Sequence, residues 1–241
     1  MKAIILAAGK GTRLGGLTKE IPKPMLPING KPLLEYIISY LKNNGIKDIG
    51  INLFTMGEQI ENYFKDGSKF DVNIKYSYEE KLAGTAGSLL AFEDWLDNED
   101  FIVIYGDIIT NQPLQPLIEL HTKNTAFATL FLHRRKTSNS FIELNVNNQI
   151  IDFKERPEGD ELKVLEKSNP DGFLVNSAIQ ILNKDILSYI KENSSFDLPK
   201  DIYSKEFNNK TILGLELKKK RIAIDSQERY NEAQEMATKW L

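Results

Sequence analysis

Hydrophobic positions follow two rhythms along this chain. "AIILAA", residues 3–8, is a continuous apolar run with β-branched side chains, and it predicts a buried parallel strand. In "PLLEYIISYLKNNG", residues 32–45, Leu33, Leu34, Ile37, Ile38 and Leu41 recur at helical spacing, and Gly45 supplies a stop. Further strands are predicted at 48–53, 73–78, 101–107 and 126–133, and helices at 57–64, 85–96 and 113–123. "FIVIYGD", residues 101–107, is the strongest strand signal and ends on an acidic residue. Strands and helices alternate. The pattern therefore predicts an α/β fold with a Rossmann-like, mostly parallel sheet flanked by helices. Such sheets bind ligands beyond the carboxyl ends of their strands. The glycine-rich residues after the first strand and Asp107 at the end of another share that rim.

From about residue 140 the rhythm changes. "SFIELNVNNQIIDFKERPE" predicts a hairpin with Asn147-Asn148 at its turn. Strands are expected at 172–182 and 211–217, and a helix at 197–207. A closing helix is expected at 226–241, with Ser226 as its N-cap. No linker, repeat or low-complexity segment interrupts the chain. The expectation is one domain over 1–241, in which a smaller β-rich part of about 136–225 folds onto the sheet of about 1–135.

Composition narrows the chemistry. The 241 residues are 41 % hydrophobic and 27 % charged, as in ordinary globular proteins. Lys and Arg number 31 against 34 Asp and Glu, so no basic bias points to a nucleic acid. The absence of cysteine excludes disulfides, thiolate metal sites and a thiol nucleophile. The apolar core of "MKAIILAAGKG" is too short for a signal peptide, and no run of 18 apolar residues exists to span a membrane. The cytoplasm is the expected location.

"LAAGKGTRL", residues 6–14, has the make-up of a phosphate-cradling loop. It is not a dinucleotide fingerprint, because Leu14 stands where the third glycine belongs and the acidic residue expected about twenty positions on, at the end of a second strand, is missing. It is not a Walker A motif either, since neither Gly-Lys pair precedes Ser or Thr. Gly9 and Gly11 allow close backbone approach, Thr12 adds a hydroxyl and Arg13 a fork of donors for phosphate oxygens. Prolines at 22, 24 and 27 stiffen the next segment and hold Lys23 with little entropy left to lose.

"MKAIILAAGKGTRL" and "PKPMLPINGKPLLEY" closely resemble the sugar-1-phosphate nucleotidylyltransferases, also called nucleotide-sugar pyrophosphorylases. The resemblance continues through "LAGTAGSL" (82–89), "YGD" (105–107), "FKERPE" (153–158), "LVNSAIQIL" (174–182) and "IDSQERYNEA" (224–233), essentially the whole chain. It implies a GT-A-like fold, with nucleotide bound by the first part and sugar by the β-rich part. It implies partners too: an NTP and a sugar 1-phosphate, joined as NDP-sugar with release of pyrophosphate. The attack on the α-phosphorus is in line, without a covalent enzyme intermediate, and Mg²⁺ is the implied cofactor.

The resemblance also implies roles. Arg13 is assigned to the β- and γ-phosphates, and Lys23 to the α-phosphate and the incoming sugar phosphate. Asp107 is the first metal ligand. For the second, one family pattern places the acid on Ala223 and another on Asp225, and Asp225 is chosen. Leu6, Ala7, Ala8, Gly9, Gly11 and Thr12 are expected on one side of the nucleotide, and Gly84, Thr85 and Gly87 on the other. Glu155 matches the acid that binds sugar hydroxyls. Arg156 stands in for the usual lysine, and Gly172 and Asn176 match further sugar-side positions.

"KKKR" (218–221) reads as a solvated basic end near a strand, although it could flank the phosphate site. His121 and His133 read as a helix-face and a strand-end residue. "IENYFKDGSKFDVNIKYSYEE" (60–80) looks most like the mannose or heptose guanylyltransferases and the muramate uridylyltransferases, so GTP or UTP is expected. The product would be a donor for cell-surface polysaccharide. The alternatives are a cytidylyltransferase acting on phosphocholine or another small phosphate, and a non-catalytic nucleotide-binding homologue. Homo-oligomerisation is left open.

Overall fold

Ala3, Ile4 and Ile5 are fully buried, yet they divide between two cores. Ala3 and Ile5 join one cluster and Ile4 the other, as successive side chains must on a strand covered on both faces. In the computed structural model they form β1, Ala3–Leu6. The structure describes residues 1–241 apart from Lys10, Thr137, Asn139, Glu158, Pro170, Asp171, Glu192, Asn193 and Leu241, and apart from the side chains of Leu162, Glu166, Ser168, Thr238, Lys239 and Trp240.

A small hairpin, β2 (Pro27–Ile28) and β3 (Lys31–Pro32), leads into helix α1 (Leu33–Asn43). Then come β4 (Asp48–Leu53), α2 (Gly57–Phe64), β5 (Asn73–Tyr78), α3 (Gly84–Gly87) and α4 (Glu93–Leu96). β6 (Phe101–Tyr105), β7 (Ile108–Thr110), α5 (Gln115–Asn124) and β8 (Ala128–Arg135) complete the first part. The second holds β9 (Ser140–Leu144), β10 (Ile150–Glu155), α6 (Asp160–Ser168), β11 (Phe173–Leu182), α7 (Ser204–Glu206), β12 (Ile212–Glu216), β13 (Arg221–Ala223) and α8 (Gln227–Trp240).

The main sheet runs β10-β9-β11-β6-β1-β4-β5, with β8 on β11 and β12 on β8. β6, β1, β4 and β5 are parallel, as the alternation predicts. β11 enters antiparallel to β6, and the β-rich strands continue from it. The fold is thus mixed α/β around a mostly parallel centre.

Two predicted helices take other forms. The stretch 85–96 divides into α3, a 3-10 turn at Leu90–Phe92 and α4. Gly84 and Gly87 weaken a regular helix, and Ser88 Oγ donates back to Gly84 O at 2.7 Å. The breaks still leave Ala86, Leu89, Phe92 and Leu96 buried. The stretch 197–207 opens as a π turn, Leu198–Tyr203, before α7. Its first turn is drawn tight by Asp197 N donating to Asp201 Oδ2 at 2.9 Å. The other predicted elements appear within a few residues of their expected bounds, and Ser226 Oγ accepts from Arg229 N at 3.3 Å as an N-cap should. Helix α6 and the short strand β13 lie in stretches with no predicted element.

Candidate active site

β1 and β6 lie side by side, with Leu6 opposite Tyr105, so the residues that follow them meet at one rim. Gly106 N donates to Leu6 O at 2.8 Å, and a Cβ on Gly106 would stand only 2.9 Å from that oxygen. Glycine is what permits this approach. A cavity of about 250 Å³ opens beside it. Leu6, Ala7, Ala8, Gly9, Lys23, Gly84, Thr85 and Asp107 line it, so the first-strand loop, the proline-stiffened segment, α3 and the end of β6 converge.

Asn52, Glu79, Ser88, Tyr105 and Asp197 line the same cavity, and sequence reading passed over them. Asn52 Oδ1 accepts from Ala7 N at 2.6 Å, and Asn52 Nδ2 donates to Glu79 Oε1 at 2.6 Å. Glu79 also accepts from Ser88 Oγ at 2.6 Å and from Ala83 N at 3.0 Å. This network ties the loop after β1 to the turn before α3. Its available signal was a polar residue inside the apolar strand "DIGINL". Asp197 Oδ1 accepts from Thr85 N and Thr85 Oγ1, at 3.1 and 3.0 Å, and Thr85 Oγ1 accepts from Leu198 N. Burial is the main force raising the Tyr105 phenol above its ordinary range. The charges of Asp197, Asp107 and Glu155 act in the same direction.

Asp107 and Asp225 reach one place through a short pairing. β13 runs antiparallel to β7, Ala223 faces Ile108, and Ile224 N donates to Asp107 O at 2.9 Å. Asp107 Oδ2 accepts from Lys23 Nζ at 2.6 Å. Asp225 faces Arg13 Nη1 at 3.9 Å and Arg229 Nε at 3.4 Å. The segment carrying Lys23 is clamped by α8, where Tyr230 OH and Gln234 Nε2 both donate to Pro27 O.

Arg13 projects with its side chain 76 % exposed, and Gly11, Thr12, Gly87 and Asp225 stand outside the cavity lining. Gly11 adopts φ 64°, a left-handed turn that carries the chain from Gly9 into the Arg13 segment. Glu155 Oε2 accepts from Ser140 Oγ at 2.5 Å, and Arg156, 75 % exposed, lies 3.7 Å from Glu155 Oε1. The Asn176 amide is engaged in β11 itself: Oδ1 accepts from Ala178 N and Nδ2 donates to Gln180 Oε1. These bonds hold a bulge between Asn176 and Gln180. Gly172 lines a second cavity, of about 640 Å³, with Phe141 and Asn169.

"KKKR" is not a uniformly solvated end. Arg221 is half-buried, with Nε donating to Ser177 O at 2.8 Å and Nη1 lying 3.3 Å from His133 Nε2. The antiparallel pairing of β13 with β7 turns this arginine inward. Burial, with the guanidinium charges of Arg221, Arg135 and Arg229, brings His133 down to about 3.

The donors at the rim suit a hard cation. Among the described residues no group of three or more His, Cys, Asp or Glu gathers as a metal cage. Two partly exposed carboxylates are available: Asp107, which lines the cavity, and Asp225, which follows the strand paired beside it. That set fits Mg²⁺, which keeps water and phosphate oxygens in its shell, better than Zn²⁺, which wants four protein ligands in a structural site.

The profile of the Nucleotidyl transferase family matches residues 2–220. The chain belongs to that family. Among curated proteins, this nucleotidyl transferase is 33 % identical over 220 residues to a UTP–glucose-1-phosphate uridylyltransferase of Synechocystis, covering 85 % of this chain and 55 % of that protein. It thus spans little more than half of that relative. It is 36 % identical over 201 residues to a D-glycero-alpha-D-manno-heptose 1-phosphate guanylyltransferase of Campylobacter jejuni, covering 82 % of this chain and 83 % of the relative. Its fold matches the crystal structure of HddC from Yersinia pseudotuberculosis complexed with GMP-PN, with TM-score 0.79 at 22 % identity over 98 % of this chain and 99 % of that one. Arg221 and Asp225 lie beyond the span that the family profile matches.

Proposed function

We propose that this nucleotidyl transferase moves the nucleotidyl group of GTP or UTP onto a sugar 1-phosphate, releasing pyrophosphate. The observation that carries this reading is the pairing of Lys23 with Asp107 in a cavity lined by the first-strand loop and Gly84-Thr85, with the backbone before Asp225 bonded to Asp107. Family membership supports the class of reaction, and the names of the Synechocystis and Campylobacter relatives support the two nucleotides.

A sugar 1-phosphate is largely dianionic at neutral pH, so its oxygen can attack without a general base. That oxygen forms a bond to the α-phosphorus, the bond to the β-phosphate oxygen breaks, and pyrophosphate leaves with the electron pair. The protein's task is to gather anions and hold them in line. Lys23 serves the α-phosphate and the incoming phosphate, and Arg13 the β- and γ-phosphates. Asp107 and Asp225 would hold Mg²⁺, which supplies charge neutralisation at the phosphates when bound. Ala7, Ala8, Gly9, Gly84 and Thr85 face the nucleotide. Glu155 serves the sugar hydroxyls, while Asn176 maintains the β11 bulge beside them. We place the activity in the cytoplasm, in the supply of activated sugars for surface polysaccharide.

The test is a pyrophosphate-release screen crossing GTP, UTP, CTP, ATP and dTTP with sugar 1-phosphates and phosphocholine, in Mg²⁺ and in EDTA. Metal-dependent release with GTP or UTP and one sugar 1-phosphate is expected. Release with CTP and phosphocholine alone would replace this reading by the cytidylyltransferase one.

A further inference from the structure

Arg221, His133 and Ser177 lock together on the β-rich side of the acid pair. A guanidinium only donates, so His133 Nε2 accepts from Arg221 and its Nδ1 carries the proton given to Ser177 Oγ, 2.9 Å away. Ser177 is fully buried inside the β11 bulge, so both anchors of the arginine are fixed by the sheet. Among the described residues two of its five N–H groups find acceptors, and both acceptors are uncharged. Among the described residues no carboxylate oxygen lies within 4.0 Å of the Arg221 guanidinium. It is near enough to Asp107 and Asp225 for both charges to act on it, and Arg135 and Arg229 add positive potential.

A cation largely withdrawn from water and held by neutral groups is costly unless an anion completes it. Its fork suits two oxygens of one phosphate. Arg13 approaches Asp225 from the first-strand loop and Lys23 approaches Asp107 from the proline-stiffened segment, whereas Arg221 is braced from β8 through His133 and from β11 through Ser177. Building on the transfer reading above, we propose that Arg221 binds the phosphate of the sugar 1-phosphate, and that His133 and the Ser177 carbonyl position it.

The experiment compares wild type, R221Q, R221K and H133A in steady-state kinetics, varying the NTP and the sugar 1-phosphate separately, with melting temperatures as a check of folding. R221Q is expected to raise the sugar 1-phosphate KM about tenfold or more and to leave the NTP KM within about twofold. R221K should fall between, because a lysine keeps the charge without the fork, and H133A should raise the same KM by less. Equal changes in both KM values, or a fall in kcat alone, would overturn the proposal. A second readout does not need turnover. Inorganic phosphate should raise the melting temperature of wild type and not of R221Q, and an equal rise in both overturns the assignment. If no substrate pair reacts while phosphate still distinguishes the two proteins, the transfer reading fails and the anion site stands.

Discussion

Lys23 Nζ sits 2.6 Å from Asp107 Oδ2, so the ammonium assigned to phosphate occupies the carboxylate assigned to metal. Side-chain exposures of 11 % and 24 % put this pair in partial contact with solvent. Arriving phosphates and a cation would trade partners with it: Lys23 turns to the anion and Asp107 to the metal. The pair pre-positions both groups and keeps each from standing alone in a partly buried place.

K23M separates these functions. Removing the competing ammonium should tighten Mg²⁺ binding by the nucleotide-free protein while lowering kcat about a hundredfold. Calorimetric Mg²⁺ titration and pyrophosphate release check the two halves. Weaker Mg²⁺ binding in K23M would show that the lysine supports the carboxylate instead of competing with it.

D225N tests the second acid. The strand pairing that places Asp225 beside Asp107 runs through backbone atoms, so the fold should survive. The Mg²⁺ concentration for half-maximal activity should rise about tenfold or more. Unchanged metal dependence would remove Asp225 from the site.

G84A strikes the cavity wall through the backbone. Gly84 has φ +80°, and a Cβ there would meet Phe196 O at 2.6 Å. A loss of about 1–3 kcal/mol in stability is expected, together with a raised NTP KM, because Thr85 and its Asp197 bonds shift with the turn. Denaturant unfolding and kinetics read the two effects, and a stable variant with normal NTP KM would show that the wall yields without consequence.

His133 gives the acid side of the stability curve a slope. Folded, it takes a proton only below about pH 3; unfolded, it does so near pH 6.5. Between these values the unfolded chain binds more protons, so stability falls as pH falls, and the contribution is complete above about pH 6.5. H133Q should therefore lose melting temperature less steeply over that window. His121, which burial also shifts downward, remains in both proteins and cancels from the comparison. Parallel curves would mean that His133 is as accessible to protons folded as unfolded.

The parallel centre was legible because β1 and β6 are continuous apolar runs and the helices between the strands carry one apolar face. Residues 48–53, 57–64 and 73–78 emerge with the expected bounds. Lys23 and Asp107 were legible because prolines and a strand end single them out, and they do meet. Other features left no local trace. β13 is three residues long and exists by virtue of its pairing with β7. Asn52 and Glu79 look like isolated polar residues until the fold brings Ala7 and Ser88 to them. Arg221 sits in a basic run whose pattern says solvent, and a strand pairing made far along the chain turns it inward. The helix expected at 85–96 failed where two glycines and a serine bond outweighed the apolar spacing.

The β7–β13 pairing also orders events in time. Thr110 Oγ1 donates to Lys220 O, joining positions 110 residues apart. A ribosome makes the loop after β1, Lys23 and Asp107 long before it makes Asp225. The growing polypeptide therefore carries Lys23 and Asp107 early, but the cavity wall at Asp197 comes late and Asp225 arrives only once synthesis has passed the last strand. If Asp225 serves the metal as proposed, a nascent chain lacks one of its two carboxylates until the β-rich half has been built.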